Sequence, residues 1–287
     1  MEMLKKYDLS VDADIVANAV KKIKTQALNA DENQVNKSVF TLIDLTTLTE
    51  LDNEAKVKDM CQKVNGFKAQ YADMNNVAAI CVYPSMVPYV KKHLQTKNVG
   101  IASVGGGFPA SQTFTEIKVQ ECAMAVKAGA TEIDIVIPVG EFVAGNDELL
   151  FNETKQIKQA IGEAHLKVIL ETGDLTPEQI RRASILAMEA GADFIKTSTG
   201  KVAVSATHEA MYIMCSAIKD YHEQTGRMVG IKPAGGIREP KDAAVYYEIV
   251  NQVLGSDWTN NEWFRIGASS LANSLLQEIY KKEESYF

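Results

Sequence analysis

At 287 residues the chain exceeds the usual domain of about 100–150 residues, although some α/β architectures of roughly 250 residues fold as one unit. Hydrophobic residues make up 46% and charged residues 23%, which is ordinary globular usage and excludes bulk disorder. Thirty Lys and Arg against 37 Asp and Glu, a net charge of −7, exclude a footprint for nucleic acid or an anionic membrane, so any anion must be held locally.

Residues 1–10 carry Glu2, Lys5, Lys6 and Asp8 without the apolar stretch of a secretory signal, so the expected address is cytoplasmic. Residues 12–28 place Ile15, Val16, Ala19, Val20 and Ile23 at helical spacing, predicting an amphipathic helix that covers the bottom of the fold. From residue 38 onward, short β-branched runs alternate with longer amphipathic stretches at a period of about 30 residues, the pattern of βα units and a parallel sheet. The expected strands are 38–45, 77–83, 99–105, 132–139, 166–172, 193–198, 229–234 and 264–267. Between them, Thr176 before Pro177 marks a helix start, Glu239 before Pro240 a similar one, and Gly129 and Gly191 mark helix ends. Eight strands with eight helices predict closure into a (β/α)8 TIM barrel, with a doubly wound open sheet as the alternative. The expected organisation is an N-terminal helical extension over 1–36, the barrel over 37–276 and a tail over 277–287. The longest apolar runs, such as 133–139 with its Asp134, are far short of the ~20 residues that span a bilayer.

An internal echo aligns Lys127-Ala-Gly-Ala-Thr-Glu-Ile-Asp134 with Glu189-Ala-Gly-Ala-Asp-Phe-Ile-Lys196 at an offset of 62, so Asp134 and Lys196 fall at equivalent strand levels. Ile133, Ile135 and Ile137 share the outward parity, which turns Asp134, and by the same parity Lys196, into the barrel. Lys232, in Gly230-Ile-Lys-Pro-Ala-Gly-Gly236, is a second interior lysine on the next strand. Burial disfavours an ammonium, and a second cation nearby disfavours it further, so one of such a pair becomes a neutral nucleophile fit for imine formation. A purely structural ion network is the competing reading of either lysine alone. Gly200-Lys201, Gly235-Gly236 and the run from Gly267 to Ser269 and Ser270 lie at carboxyl ends of strands, where freed amides, hydroxyls and a lysine would cradle a phosphate. Cys81, on the second strand, can face the lumen, although a small apolar core role is the commoner use of cysteine. Four cysteines 20, 41 and 93 residues apart and four scattered histidines show neither a disulfide framework nor metal-ligand spacing, so no metal and no cofactor is expected.

The ordered segments Leu42-Ile-Asp-Leu-Thr-Thr-Leu48, Ala78-Ala-Ile-Cys-Val-Tyr-Pro84, Glu132-Ile-Asp-Ile-Val-Ile-Pro138, Phe194-Ile-Lys-Thr-Ser-Thr-Gly-Lys201, Gly230-Ile-Lys-Pro-Ala-Gly-Gly236 and Arg265-Ile-Gly-Ala-Ser-Ser270 resemble the 2-deoxyribose-5-phosphate aldolases over residues 42–276. The resemblance implies a class I aldolase that cleaves 2-deoxy-D-ribose 5-phosphate to glyceraldehyde 3-phosphate and acetaldehyde, with Lys196 as the Schiff-base lysine. Lys232 would handle protons and keep Lys196 neutral, and Asp134 would act as general acid/base through ordered water. Gly200, Lys201, Gly235, Gly236, Ser269 and Ser270 would hold the phosphate, with Asp44, Thr199 and Cys81 as possible supporting residues. A phosphorylated sugar and aldehydes are the implied partners, and a homodimer the implied assembly. The chain departs from the family in its N-terminal extension and in the run Gly105, Gly106 and Gly107. Some relatives also fold a C-terminal tyrosine over the site, and here Tyr286 is penultimate. An aldolase for another phosphorylated sugar, a metabolite-sensing barrel and, third, a phosphosugar isomerase remain as alternatives.

Overall fold

The computed structural model describes residues 1–27, 32–283 and 285–287. Two helices, α1 (Ala13–Ala27) and α2 (Glu32–Phe40), lead into β1 (Ile43–Thr46). The chain then alternates through α3 (Glu54–Gln70), β2 (Ala79–Val82), α4 (Val87–His93), β3 (Gly100–Gly105), α5 (Thr115–Ala128) and β4 (Glu132–Val136). A short α6 (Val139–Val143) precedes α7 (Asp147–Ile161), β5 (His165–Ile169), α8 (Pro177–Glu189), β6 (Phe194–Lys196) and α9 (His208–Thr225). β7 (Gly230–Lys232), α10 (Pro240–Val253), β8 (Ile266–Ala268) and α11 (Leu271–Tyr280) complete the series.

Each of the eight strands overlaps a window expected from periodicity, with β1, β5 and β8 each running one residue outside theirs, and all pair in parallel in the order β7-β6-β5-β4-β3-β2-β1-β8. Two isolated parallel bridges, Ile231 with Phe264 and Ala234 with Gly267, bring β7 to β8 and close the sheet into a (β/α)8 barrel. The open doubly wound sheet is thereby excluded. Ile133 and Ile135 of β4 are buried against the helix layer while Asp134 is turned into the lumen at 0% exposure, as their parity requires.

Local signals behave as their chemistry predicts, with one exception at each end of the pattern. Thr176 accepts from the Gln179 amide and Gln179 answers in a reciprocal capping box at α8, whereas Glu239 contributes only a Pro-started first turn to α10 and no side-chain cap. Gly129 and Gly191 take the positive φ that ends α5 and α8. The run Ser38, Val39 and Phe40, expected to open the first strand, is the last turn of α2 instead. Val39 and Phe40 are buried there, and Phe40 stacks on Phe67 of α3 at 4.9 Å. A short apolar run fits either element, and a helical partner surface decided it.

Helix α1 matches the 12–28 expectation, apart from Leu28, which lies outside the described residues. Its buried face, Val16, Val20 and Ile23, packs on α9 and α10, so it is laid on the outer helix layer and not across the barrel bottom.

Candidate active site

Tilted strands in an eight-stranded barrel are staggered, so residues of equal height lie one position further along on each successive strand. Applied to the observed registers, this rule sorts the inward side chains into three layers. Cys81, Asp134, Lys196 and Gly267 form the upper layer from the even strands. Asp44, Ala102, Lys167 and Lys232 form the middle layer from the odd strands, and Ala79, Glu132, Phe194 and Arg265 the lower one. Along the ladder Lys196 stands opposite Ile169, and Ile169 opposite Val136, two residues beyond Asp134. The stagger cancels that offset, which is why the internal echo correctly put Asp134 and Lys196 at one height.

The lumen has two halves of unlike chemistry. On β2 and β3 it is lined by Ala79, Cys81, Ala102 and Val104, capped by Leu48 with Tyr83 and Phe108 beside them. The other half is a closed ion network. Lys196 Nζ donates to Asp134 at 2.7 Å, Lys232 Nζ donates to Asp134 at 2.8 Å and to Asp44 at 2.5 Å, and Lys167 Nζ donates to Asp44 at 2.8 Å and to Glu132. Arg265 grips Glu132 with two nitrogens at 3.0 Å and reaches Asp44 at 2.8 Å.

Charge counting within this network singles out one residue. Asp44, Glu132 and Asp134 supply three negative charges, and Lys167, Lys232 and Arg265 balance them, so Lys196 is the fourth base and need not be charged. The individual environments agree. Burial alone would raise the carboxyls of Asp44, Glu132 and Asp134, but the surrounding ammonium and guanidinium groups outweigh it and hold all three below the usual carboxylate range. Burial would lower Lys167 and Lys232, and the carboxylates around them reverse this, keeping both protonated. For Lys196 burial prevails: with one carboxylate partner and the Lys232 cation nearby, its amine is held below the ordinary lysine value. The Cys81 thiol is raised, chiefly by burial, so it is a neutral wall of the lumen.

Above the network opens a cavity of about 660 Å³. Lys196 reaches its floor at 4% exposure, while Lys232, Asp134 and Asp44 are sealed beneath it at 0%. Thr199, Gly200, Lys201, Gly235, Gly236, Gly267, Ser269 and Ser270, all singled out by sequence, line the walls. Gly235, at φ +87°, packs so closely that a Cβ there would stand 2.6 Å from Ser205 and 3.0 Å from Gly200, so the β6 and β7 loops meet backbone to backbone. At Gly267 a Cβ would fall 2.7 Å from Ala234 and 3.2 Å from Cε of Lys232, and its absence leaves room for that lysine's stem. Lys201 Nζ donates to the Leu48 carbonyl at 2.6 Å. Thr199 is held by Glu171, whose carboxylate accepts from its amide at 3.1 Å and its hydroxyl at 2.6 Å. Glu171 adopts φ +59° to do so, a costly conformation for a residue with a side chain.

An interior lysine with low proton affinity on the floor of a cavity lined by glycines, serines and Lys201, at the carboxyl face of a barrel, is an arrangement suited to imine chemistry on a carbonyl compound. The model of the DeoC/LacD family aldolases matches residues 38–274. The chain belongs to that family.

This DeoC/LacD family aldolase is 42% identical over 256 residues to the deoxyribose-phosphate aldolase of Homo sapiens, covering 84% of this chain and 79% of the human protein. It is 43% identical over 251 residues to that of Mus musculus, covering the same shares. A solved structure from Toxoplasma gondii ME49 superposes with a TM-score of 0.77 over 91% of this chain and 98% of that one, at 22% identity, a likeness of fold.

In this aldolase, the sequence expectations do not include Lys167, Glu132 and Arg265, although Glu132 shares the inward parity of Asp134 and Arg265 that of Gly267. A third interior lysine on β5 was the available signal. Arg238 and Asn273, on the cavity wall, were also missed; a basic residue two places beyond Gly236 could have been found by its position in the glycine loop. Tyr286 does not reach the cavity: its hydroxyl donates to the Lys63 carbonyl at 2.7 Å and its ring packs against Phe67 and Tyr71. Phe287 lines the cavity instead, clamped by two hydrogen bonds to Asn273 at 2.8 and 2.9 Å, while Glu284 of the tail lies outside the described residues.

Proposed function

We propose that this aldolase reversibly cleaves 2-deoxy-D-ribose 5-phosphate through a Schiff base on Lys196. The observation that carries the reading is that Lys196 is the base of the buried network that opens to the cavity, and the one that electroneutrality leaves without a charge. Its amine adds to the C1 aldehyde of the open-chain sugar and water leaves, giving an iminium whose positive nitrogen draws electrons from C2. Removal of the C3 hydroxyl proton, through water in contact with Asp134, turns C3 into the aldehyde carbon of glyceraldehyde 3-phosphate. The electron pair of the broken C2–C3 bond becomes the enamine. Protonation of that enamine carbon and addition of water return free Lys196 and acetaldehyde. Lys232, charged and bonded to Asp134, keeps Lys196 neutral and returns protons to the network.

The phosphate would be received by the amides around Gly200, Gly235 and Gly236, by Ser269 and Ser270 at the start of α11, and by Lys201 and Arg238, which fixes the reacting end by remote binding energy. The apolar half of the lumen suits a donor aldehyde without a hydroxyl at its second carbon, as in the human and mouse relatives' named substrate. Among the described residues no helix is long and apolar enough to cross a membrane. A cytoplasmic homodimer is the setting we propose; one relative, from Aeropyrum pernix, is a tetramer, and sedimentation would give the assembly here.

Incubation with acetaldehyde and borohydride, followed by intact mass and peptide mapping, tests the nucleophile. A two-carbon adduct on Lys196, absent from Lys196→Met, is expected; no adduct, or one on Lys232, overturns the assignment of the nucleophile and brings back the metabolite-sensing barrel.

A further inference from the structure

We infer that Arg265, two layers below the cavity, is a positioning residue for the imine chemistry: its fixed positive charge completes the balance of the lumen and so keeps Lys196 free of a proton. The inference rests on Lys196 being the nucleophile.

The lower layer would ordinarily be read as packing, since Arg265 and Glu132 neutralise each other and Arg265 lies 5.7 Å over the Phe194 ring. Its connections say more. Arg265 bonds Asp44 at 2.8 Å, Asp44 takes Lys232 at 2.5 Å, Lys232 takes Asp134 at 2.8 Å, and Asp134 takes Lys196 at 2.7 Å. Asp44, Lys232 and Asp134 are fully buried, and Arg265 and Lys196 nearly so, so water screens the chain of charges little. A guanidinium does not give up its proton, so Arg265 is the one cation of the network whose charge cannot adjust. Without it, three carboxylates would face two lysine cations, and the remaining base able to take a proton is Lys196, already in contact with Asp134.

The groups around Lys196 offer no substitute. Asp134 faces it from β4, Lys232 from β7 and the Cys81 thiol from β2, while Lys167 on β5 is committed to Asp44 and Glu132, 3.4 Å from the far oxygen of Asp134. At the cavity wall, Lys201 is turned to the Leu48 carbonyl, and Arg238 stands on the exposed loop. Around Arg265 stand Asp44 from β1, Glu132 from β4, the Phe194 ring from β6 with His165 against it, and the Asn261 carbonyl. No second cation among them touches Glu132 except Lys167, which the count already includes.

The test measures kcat/KM for 2-deoxyribose 5-phosphate cleavage against pH, whose acid limb reports the free enzyme's nucleophile. The substrate's own titration is common to all variants and cancels in the comparison. Arg265→Met should move the acid limb to higher pH by about one unit or more, and Arg265→Lys should return it. Glu132→Gln, which removes a negative charge, should move it the opposite way. The double variant, which loses one charge of each sign, should realign with the wild type. A lower rate with an unmoved acid limb in Arg265→Met overturns the inference. Should that variant not fold, an unmoved limb in Glu132→Gln, or a double variant displaced from the wild type, overturns it equally. If the wild type itself forms no borohydride-trapped adduct on Lys196, the underlying reading of the nucleophile fails instead.

Discussion

Two lysines that stand side by side on β6 and β7 have opposite energetics. Lys196 is an amine that burial discourages from charging, whereas Lys232 is a cation shared by Asp44 and Asp134. Replacing each by methionine should therefore give opposite balances of function and stability. Lys196→Met should lose at least about a thousandfold in turnover while keeping or raising its urea midpoint, since the nucleophile goes but no buried cation is removed. Lys232→Met should cost about 3–5 kcal/mol in urea unfolding, because two buried carboxylates lose their common partner. Equal destabilisation by the two substitutions would contradict the division of roles.

At the scale of elements, the site depends on loops that approach more closely than side chains permit. Gly267 within β8 and Gly236 after β7 both line the cavity, but only the first has neighbours where a Cβ would go. Gly267→Ala should press on the Lys232 stem and lower kcat, with an overpacking cost of about 1–3 kcal/mol. Gly236→Ala meets nothing within 4 Å and carries only the strain of a methyl at φ +82°, about 1–2 kcal/mol, so its effect should fall on KM through the proposed phosphate contacts. Steady-state kinetics of the two variants beside their urea midpoints would separate these outcomes. A fall in kcat for Gly236→Ala as large as that for Gly267→Ala would show that the two loops do not divide the work in this way.

For the whole molecule, a charged lumen makes stability depend on pH from both sides. The depressed carboxyls of Asp44, Glu132 and Asp134 contribute stability that is complete above their unfolded values, near pH 4, and is lost as pH falls through the folded ones. The raised lysines Lys167 and Lys232 contribute stability that is present below about pH 10.4 and is lost as pH climbs through their folded values. Lys196, held low, has the reverse slope: the unfolded chain binds its proton more tightly, so its cost to folding shrinks as pH rises toward the unfolded lysine value. Unfolding free energy from urea curves should be flat or gently rising from about pH 5 to 10 and fall beyond both ends. A maximum at pH 3 would show that the network is not ionised as its hydrogen bonds imply.

Sequence by itself determined the eight strands, their parity and hence the inward direction of Asp134, Lys196 and Lys232, because side-chain alternation and glycine-marked loop ends are local properties of a strand. That Gly200, Gly235, Gly236, Ser269 and Ser270 meet around one cavity was legible for the same reason, since strand ends in a parallel barrel share one face. Tertiary structure alone decided which inward charges touch. Stagger around the barrel places Arg265 and Glu132 beneath Asp44, and adds Lys167 to carboxylates more than 30 residues away in the chain. It likewise turned 38–40 into helix by offering Phe67 as a partner, laid α1 on α9 and α10, and seated Phe287 rather than Tyr286 at the cavity. These outcomes depend on distances between residues remote in sequence, which no periodicity encodes, and so does the protonation of Lys196, set by the sum of charges across a closed lumen.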